Sequence, residues 1–111
     1  MEVTEKIDLT QFEALLKSEL ALMVYFYQEK CGVCKGLFPK VREMVRSEFP
    51  EMELLVLEAH QNRKLAAQLR MMSVPGILVY FDGKEFFRAN GLVAMTELNT
   101  KISRYYNLIF D

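Results

Sequence analysis

Two cysteines are the residues of this chain with the clearest chemistry. They are Cys31 and Cys34, separated by Gly32 and Val33. The pair follows a continuous apolar and aromatic run and opens an amphipathic stretch, which predicts that a buried strand passes into a helix there. The first N–H groups of a helix carry partial positive charge, and this charge favours a thiolate over a thiol. Cys31 is therefore the predicted nucleophile for disulfide exchange.

Cys34 falls one helical turn later, on the same side of the predicted helix as Cys31. From there it can attack a mixed disulfide on Cys31 and release the bound partner in reduced form. Lys30 and Lys35 flank the pair and either favour the thiolate or form only a solvated helix face. Two other interpretations of the cysteines stay open here: an inert pair, or half of a zinc site. A structural zinc ion takes about four ligands, and only His60 remains as a third.

Four strands are predicted from short apolar runs, over residues 20–27, 52–57, 77–81 and 85–89. The first run is apolar throughout, which is typical of a strand buried on both faces of a parallel sheet. Asp82-Gly83 is a hairpin-turn signal between the last two strands. The segment 3–7 is a candidate for a fifth strand, although it is short and charged.

The first two predicted helices lie on either side of the first long strand. Thr10 and Glu13 form a capping-box pattern at the start of a helix over residues 10–18. The next helix begins at the cysteines, contains a kinking Pro39 and ends at Pro50.

The last two helices follow the second strand and the hairpin. Asn62 is predicted to cap a helix that runs to about Arg70, and Thr96 to cap the last helix. The inward residues are expected to be Leu65, Ala66 and Leu69 in the former, and Leu98, Ile102 and Tyr105 or Tyr106 in the latter. Strands alternating with helices and ending in a hairpin predict an α/β fold. Its mixed sheet has four to five strands, with helices on both faces.

Length and composition narrow the function classes. The chain has 111 residues, 51% hydrophobic residues and a net formal charge of −1, which indicates a single domain over residues 1–111. There is no basic excess for nucleic acid and no apolar run near the ~20 residues that a bilayer span needs. The polar start over residues 1–6 lacks signal-peptide features, which indicates a cytoplasmic protein. We expect a monomer that binds no nucleic acid, membrane or metal.

The segment from Phe26 to Lys35 resembles the active-site segment of the thioredoxin family. Further matches follow in the same order along nearly the whole chain: Pro39, Val74-Pro75, Asp82-Gly83-Lys84 and Gly91. The resemblance implies the thioredoxin fold and a thiol–disulfide oxidoreductase, acting as a reductase of protein disulfides. It also implies a redox-active Cys31–Cys34 disulfide and no bound cofactor. Electrons would come from NADPH through a separate thioredoxin reductase-like donor.

The same resemblance implies a substrate-binding surface, made of Gly32, Val33, Val74, Pro75 and Gly91. The Val74–Pro75 peptide bond is expected to be cis, with Pro75 packed against the Cys31 sulfur. The backbone of Val74 would pair with an extended substrate segment. Gly76, where the family often has threonine, is expected to leave that side of the site open.

Several residues depart from the family pattern. Lys30 and Tyr27 stand where tryptophans are usual, and Val33 replaces the proline between the cysteines. Tyr25 takes the place of a buried aspartate, and Val56 lies about where the lysine partner of that aspartate would be. These departures leave other functions open: a specialised oxidase or isomerase, a one-client reductase, or a non-enzymatic interaction or redox-sensor module. Met71-Met72 near Pro75 is either a soft binding surface or loop packing.

Overall fold

One mixed sheet organises the chain, which we describe from a computed structural model covering residues 2–4 and 6–110, with side chains for 6–110. Within those residues there are five strands: β1 (Glu2–Thr4), β2 (Ala21–Tyr27), β3 (Glu53–Glu58), β4 (Gly76–Phe81) and β5 (Lys84–Asn90). The helices of the same residues are α1 (Leu9–Ser18), α2 (Gly32–Glu48), α3 (Arg63–Gln68) and α4 (Met95–Phe110). The alternation of strands and helices is the predicted one.

The strand order is β1-β3-β2-β4-β5. Strands β1, β3 and β2 run parallel, whereas β4 pairs antiparallel with β2 and β5 antiparallel with β4. This confirms the mixed sheet. The candidate strand at 3–7 exists in a shorter form, as β1, and residue 5 lies outside the described residues. Because three strands are parallel, the carboxyl ends of β1, β3 and β2 meet at one edge of the sheet.

The central strand β2 is buried on both faces, as its apolar sequence predicts. Ala21, Met23 and Tyr25 face the core beneath α2 and α4. The alternate residues Leu22, Val24 and Phe26 face the core beneath α1 and α3. This is the period-two alternation of a strand. It directs Tyr25 toward the helix that carries Cys34.

The cap of α1 differs from the prediction. Asp8, not Thr10, is the N-cap: its carboxylate accepts from the Gln11 N–H at 2.8 Å, and the Gln11 side chain accepts from the Asp8 N–H at 2.9 Å. The same reciprocal bonding therefore occurs two residues before the Thr10 and Glu13 pattern. The earlier start also brings Leu9 against the core on that face.

Asn62 stands at the N-cap position of α3, but its side chain does not cap the helix. Its amide oxygen accepts from the Ile7 N–H at 2.8 Å, and its amide nitrogen donates to the Glu58 carbonyl at 2.9 Å. Asn62 thus joins the segment before α1 to the end of β3. Leu65 and Ala66 are buried as predicted, and Leu69 packs against the same core from a partly buried position.

The prediction for Thr96 was wrong, because α4 begins at Met95 and Thr96 lies in its first turn. Leu98, Ile102 and Tyr106 point inward, whereas Tyr105 is 39% exposed. In α2, Pro39 lies inside the helix, and Pro50 follows the C-cap residue Phe49.

The β4–β5 hairpin confirms the turn signal. Asp82 and Gly83 have φ angles of 53° and 76°, as a two-residue turn with a left-handed backbone requires. On β5, the Arg88 guanidinium donates two bonds to the Glu85 carboxylate, both 2.8 Å long. It also donates to the carbonyls of Leu69 and Arg70, at 2.9 and 3.0 Å. Arg88 therefore fastens the end of α3 to the edge strand.

Candidate active site

Cys31 and Cys34 form a disulfide at the start of α2, with their Cα atoms 5.2 Å apart. Strand β2 ends at Tyr27, and the Cys31 N–H closes the following turn on the Gln28 carbonyl at 3.0 Å. Cys31 is the N-cap of α2, and its sulfur accepts from the Cys34 N–H at 3.1 Å. The strand-to-helix position predicted for the pair is confirmed.

The Cys31 sulfur occupies the place where a capping side chain normally accepts a helix N–H. In the reduced protein a thiolate at this place accepts the same bond, now strengthened by its charge. The helix dipole acts in the same direction. Cys31 is also partly exposed, whereas Cys34 is buried. The geometry therefore suits Cys31 to attack an incoming disulfide.

Cys34 borders a cavity of about 250 Å³ on the α2 side of the sheet. Its walls are Tyr25, Tyr27, Cys34, Lys35, Phe38 and Val56. The rings of Tyr25 and Phe38 pack with centroids 5.4 Å apart. Among these lining residues Lys35 carries the only formal charge. A mostly aromatic and apolar wall disfavours a thiolate at Cys34.

Tyr25 is fully buried, and its hydroxyl donates to the Cys34 carbonyl at 2.7 Å. Burial raises the pKa of Tyr25 to about 12, so the phenol stays protonated at neutral pH. Val56 lies directly opposite Tyr25 in the register of β2 and β3. Tyr25 and Val56 therefore form no charged pair, as their residue types indicate. The hydroxyl–carbonyl bond itself could not be read from the sequence.

The Val74–Pro75 segment lies beside the end of β2, because Gly76 is the register partner of Phe26. The Val74–Pro75 peptide bond is cis. The Pro75 carbonyl accepts from the Gly91 N–H at 2.8 Å, and Gly91 has a φ angle of 105°. The fold thus brings Val74, Pro75 and Gly91 together near the turn that leads to Cys31.

Gly76 does not leave an open side, contrary to expectation. A Cβ atom at this position would lie 2.7 Å from the Met71 sulfur and 3.0 Å from the Ser73 carbonyl oxygen. Met71 is buried and fills the space, whereas Met72 is 82% exposed. Loop packing is therefore confirmed for Met71, and Met72 lies on the surface.

The other predicted site residues lie around the disulfide. Gly32 and Lys30 are exposed, Val33 is 50% exposed, and Lys35 is exposed while lining the Cys34 cavity. His60 lies on the surface beyond the end of β3. In the described ranges 2–4 and 6–110, no three His, Cys, Asp or Glu side chains are grouped so that they could hold a metal ion. No helix within those ranges is long and apolar enough to cross a membrane.

Comparison with known proteins agrees with this geometry. The family model described as thioredoxin matches residues 3–104. The chain is 29% identical over 107 residues to the thioredoxin-like protein YdfQ of Bacillus subtilis, covering 96% of this chain and 95% of that one. It is 34% identical over 84 residues to the thioredoxin of Chlamydia muridarum, covering 76% and 81%.

Solved structures show the same fold. The thioredoxin of Fasciola hepatica superimposes with a TM-score of 0.76 and 30% identity, covering 94% of this chain and 98% of that one. A mutant thioredoxin from Halobacterium salinarum superimposes with a TM-score of 0.81 at 21% identity, covering 95% and 91%.

Proposed function

The chain belongs to the thioredoxin family and is a thiol–disulfide oxidoreductase, and from this premise we propose that it works as a reductase of protein disulfides. The supporting observation is the position of the two sulfurs. The Cys31 sulfur, partly exposed, accepts the Cys34 N–H at the start of α2 while bonded to the buried Cys34. A nucleophile and a resolving thiol thus stand on one helical turn.

In the proposed cycle, the Cys31 thiolate attacks one sulfur of a substrate disulfide. A Cys31–substrate bond forms, the substrate disulfide breaks, and the leaving thiolate takes up a proton. Cys34 then loses its proton and attacks the Cys31 sulfur, which releases the second substrate thiol. Two electrons pass from the Cys31/Cys34 dithiol to the substrate, and the chain is left as the disulfide.

The substrate is proposed to lie across the surface around Cys31. The segment of Val74 and Pro75 adjoins the end of β2, and Gly91 bonds to the Pro75 carbonyl. An extended substrate segment can pair with the backbone of Val74. Gly32 and the half-exposed Val33 form the other side of this surface.

We propose that Lys30 and Lys35 support the thiolate state, since both place a cation next to the cysteine pair. The electron donor is proposed to be a separate thioredoxin reductase-like enzyme that draws on NADPH, with no cofactor bound to this chain. A reductase of this kind acts in a reducing compartment such as the cytoplasm, where thiols are kept reduced. We propose that it acts as a monomer.

Resolution is proposed to be the slow step of the cycle. Cys34 must lose a proton inside a cavity where the hydroxyl of Tyr25 is protonated and bonded to the Cys34 carbonyl. The proton must then leave through water, through the exposed Glu29, or to the departing substrate thiolate. Longer-lived mixed disulfides follow, which suits an enzyme with selected clients.

The test is turnover of a disulfide substrate such as insulin, first with dithiothreitol and then with NADPH and a thioredoxin reductase. Catalysed reduction that stops in the Cys31→Ser variant is the expected result. Binding of insulin without turnover would instead identify a non-enzymatic module. A reduction potential far more oxidising than that of thioredoxins would overturn the reductase direction and favour an oxidase or isomerase.

A further inference from the structure

A second surface feature lies beside the redox site: a groove of about 800 Å³ between the start of α1 and the connection from β3 to α3. Lys6 and Asp8 line one wall, before and at the cap of α1. His60, Arg63 and Lys64 line the other, and all five are exposed. The groove is large enough for several residues of a partner chain. No step proposed above uses it.

The topology places this groove on the same edge of the sheet as the cysteines. Tyr27 is the register partner of Glu58, and the Ala59 N–H donates to the Tyr27 carbonyl at 2.8 Å. The segment that leads from β3 to His60 therefore starts beside the segment that leads from β2 to Cys31. Strand β1 runs parallel to β3, so Lys6 leaves the sheet at this edge too. Since strands are spaced about 4.8 Å apart, the groove lies roughly 10 Å from the end of β2.

The groove concentrates positive charge in a chain whose net formal charge is −1. Among the described residues that line the groove, Lys6, Arg63 and Lys64 are cationic and Asp8 is the one carboxylate, and an oxygen of Asp8 caps α1. In the described part of the chain the one ion pair joins Arg88 to Glu85. The three groove cations therefore have no carboxylate partner there.

We propose that this groove binds an acidic segment of the disulfide-bearing client while Cys31 attacks the client's disulfide. The inference rests on the proposed reductase function and adds the class of client. An extended chain spans about 3.3–3.6 Å per residue, so about three residues cover the roughly 10 Å between the end of β2 and the groove, and the four residues from Tyr27 to Cys31 add to that path. The acidic residues of a client are therefore expected about three to six positions from its reactive cysteine.

Charge complementarity of this kind acts mainly on the rate of association and is weakened by salt. At 0.1 M ionic strength, salt screens the attraction between exposed charges that are more than about 10 Å apart. The preference for acidic clients should consequently be largest at low salt. It should affect kcat/KM and leave the chemistry of the cysteines unchanged.

The experiment compares two disulfide-bridged peptides of the same length. One carries Asp and Glu three to six positions outside its cysteines on both sides, and the other carries Asn and Gln there. Their kcat/KM values are measured at low and high salt for the wild type and for the double variant Arg63→Glu/Lys64→Glu. The matched control is Lys101→Glu/Arg104→Glu, which makes the same change of net charge at exposed positions on α4. Hydroxyethyl disulfide, small and uncharged, reports the redox chemistry alone.

We expect the wild type to favour the acidic peptide about tenfold at low salt, and the preference to shrink at high salt. The groove variant should lose or reverse the preference, whereas the α4 variant should keep it. Equal kcat/KM for both peptides, or the same loss in both variants, would overturn the groove proposal. Failure of the wild type to reduce insulin, with dithiothreitol or with NADPH and a thioredoxin reductase, would overturn the reductase function instead.

Discussion

The surroundings of the two cysteines differ more than their separation of one helical turn suggests. Cys31 is partly exposed, and its sulfur accepts an N–H at the positive end of α2. Cys34 is buried against Tyr25, and its cavity is mostly aromatic and apolar. One site therefore favours a charged sulfur, and the other favours a neutral one.

This difference separates the two halves of the proposed cycle. Attack on a substrate needs a thiolate at Cys31, which the helix end stabilises and which is less desolvated there than at the buried Cys34. Resolution needs a thiolate at Cys34, which burial opposes. In the proposed cycle the helix end therefore favours the first step, whereas the second needs a proton acceptor, and neither the protonated Tyr25 nor Val56 in the cavity wall can serve as one.

The largest effect is expected from removing each sulfur in turn. Cys31→Ser should lower disulfide reduction on the order of 10³-fold or more, because only the buried Cys34 thiol remains. Cys34→Ser should instead accumulate a covalent complex through Cys31. Non-reducing gel electrophoresis and intact-mass measurement of each variant, mixed with oxidised substrate, distinguish the two results. A trapped complex on Cys34 in the Cys31→Ser protein, at the same yield, would reverse the assigned roles.

The next effect concerns the reactivity of the two thiols in the reduced wild type. Because the helix end acts mainly on Cys31, we expect iodoacetamide to alkylate it at least about tenfold faster than Cys34 at pH 7. Peptide mapping by mass spectrometry after short labelling times measures both rates. Denatured protein is the control, since both cysteines should then react alike. Equal alkylation rates of Cys31 and Cys34 in the folded protein would contradict the difference proposed between their environments.

A carboxylate in place of the Tyr25 hydroxyl should reduce the difference between the two cysteine environments. Tyr25→Asp offers a proton acceptor beside Cys34, so single-turnover resolution should speed up several-fold, up to about 10²-fold. The same change should lower the free energy of unfolding by about 3 kcal/mol, because a buried carboxylate lacks a partner and a ring is lost. Tyr25→Phe is the control and should resolve at the wild-type rate. A folded Tyr25→Asp protein that resolves no faster would show that proton acceptance does not limit the step.

The smallest effect is on stability and its pH dependence. Tyr25→Phe should lower the free energy of unfolding by about 1 kcal/mol at pH 7, because the hydrogen bond from the Tyr25 hydroxyl to the Cys34 carbonyl is lost.

The pKa of Tyr25 rises from 10.0 to about 12 on folding, so the folded state holds that proton more tightly. This tighter proton binding stabilises the folded state fully below pH 10, and the stabilisation is lost as the pH rises toward 12. Burial also raises the pKa of Tyr80 to about 12. The free energy of unfolding, measured with urea from pH 8 to 11.5, should therefore decrease less in Tyr25→Phe and in Tyr80→Phe than in the wild type. An unchanged alkaline slope in Tyr25→Phe would contradict the burial effect at that position.

The position of the cysteine pair at the start of α2 was predictable because it depends on local order along the chain. A buried strand, two cysteines at helical spacing and an amphipathic stretch suffice to place Cys31 at a helix start. The neutrality of the Tyr25 and Val56 pair followed from residue type alone. The turn between β4 and β5 was predictable from Asp82-Gly83, because few residue types accept a left-handed backbone.

Features that depend on distant partners were not predictable. Thr10 and Asp8 are both good caps, and the packing of Leu9 and the Gln11 side chain decided between them. Asn62 has the right type for a cap but bonds to Ile7, 55 residues away in sequence. The space beside Gly76 is filled by Met71, and the basic groove forms only because β1 lies next to β3.

The Arg88 fork has a consequence for how the molecule opens. Its guanidinium holds Glu85 in its own strand and the Leu69 and Arg70 carbonyls at the end of α3. The chain from residue 71 to 75, which carries Val74 and Pro75, is thereby anchored at its start by β5 and at its end by β4. Local opening of this segment must also release the edge hairpin. In hydrogen exchange, the amides of the substrate-facing loop and of β5 should therefore open as one cooperative unit.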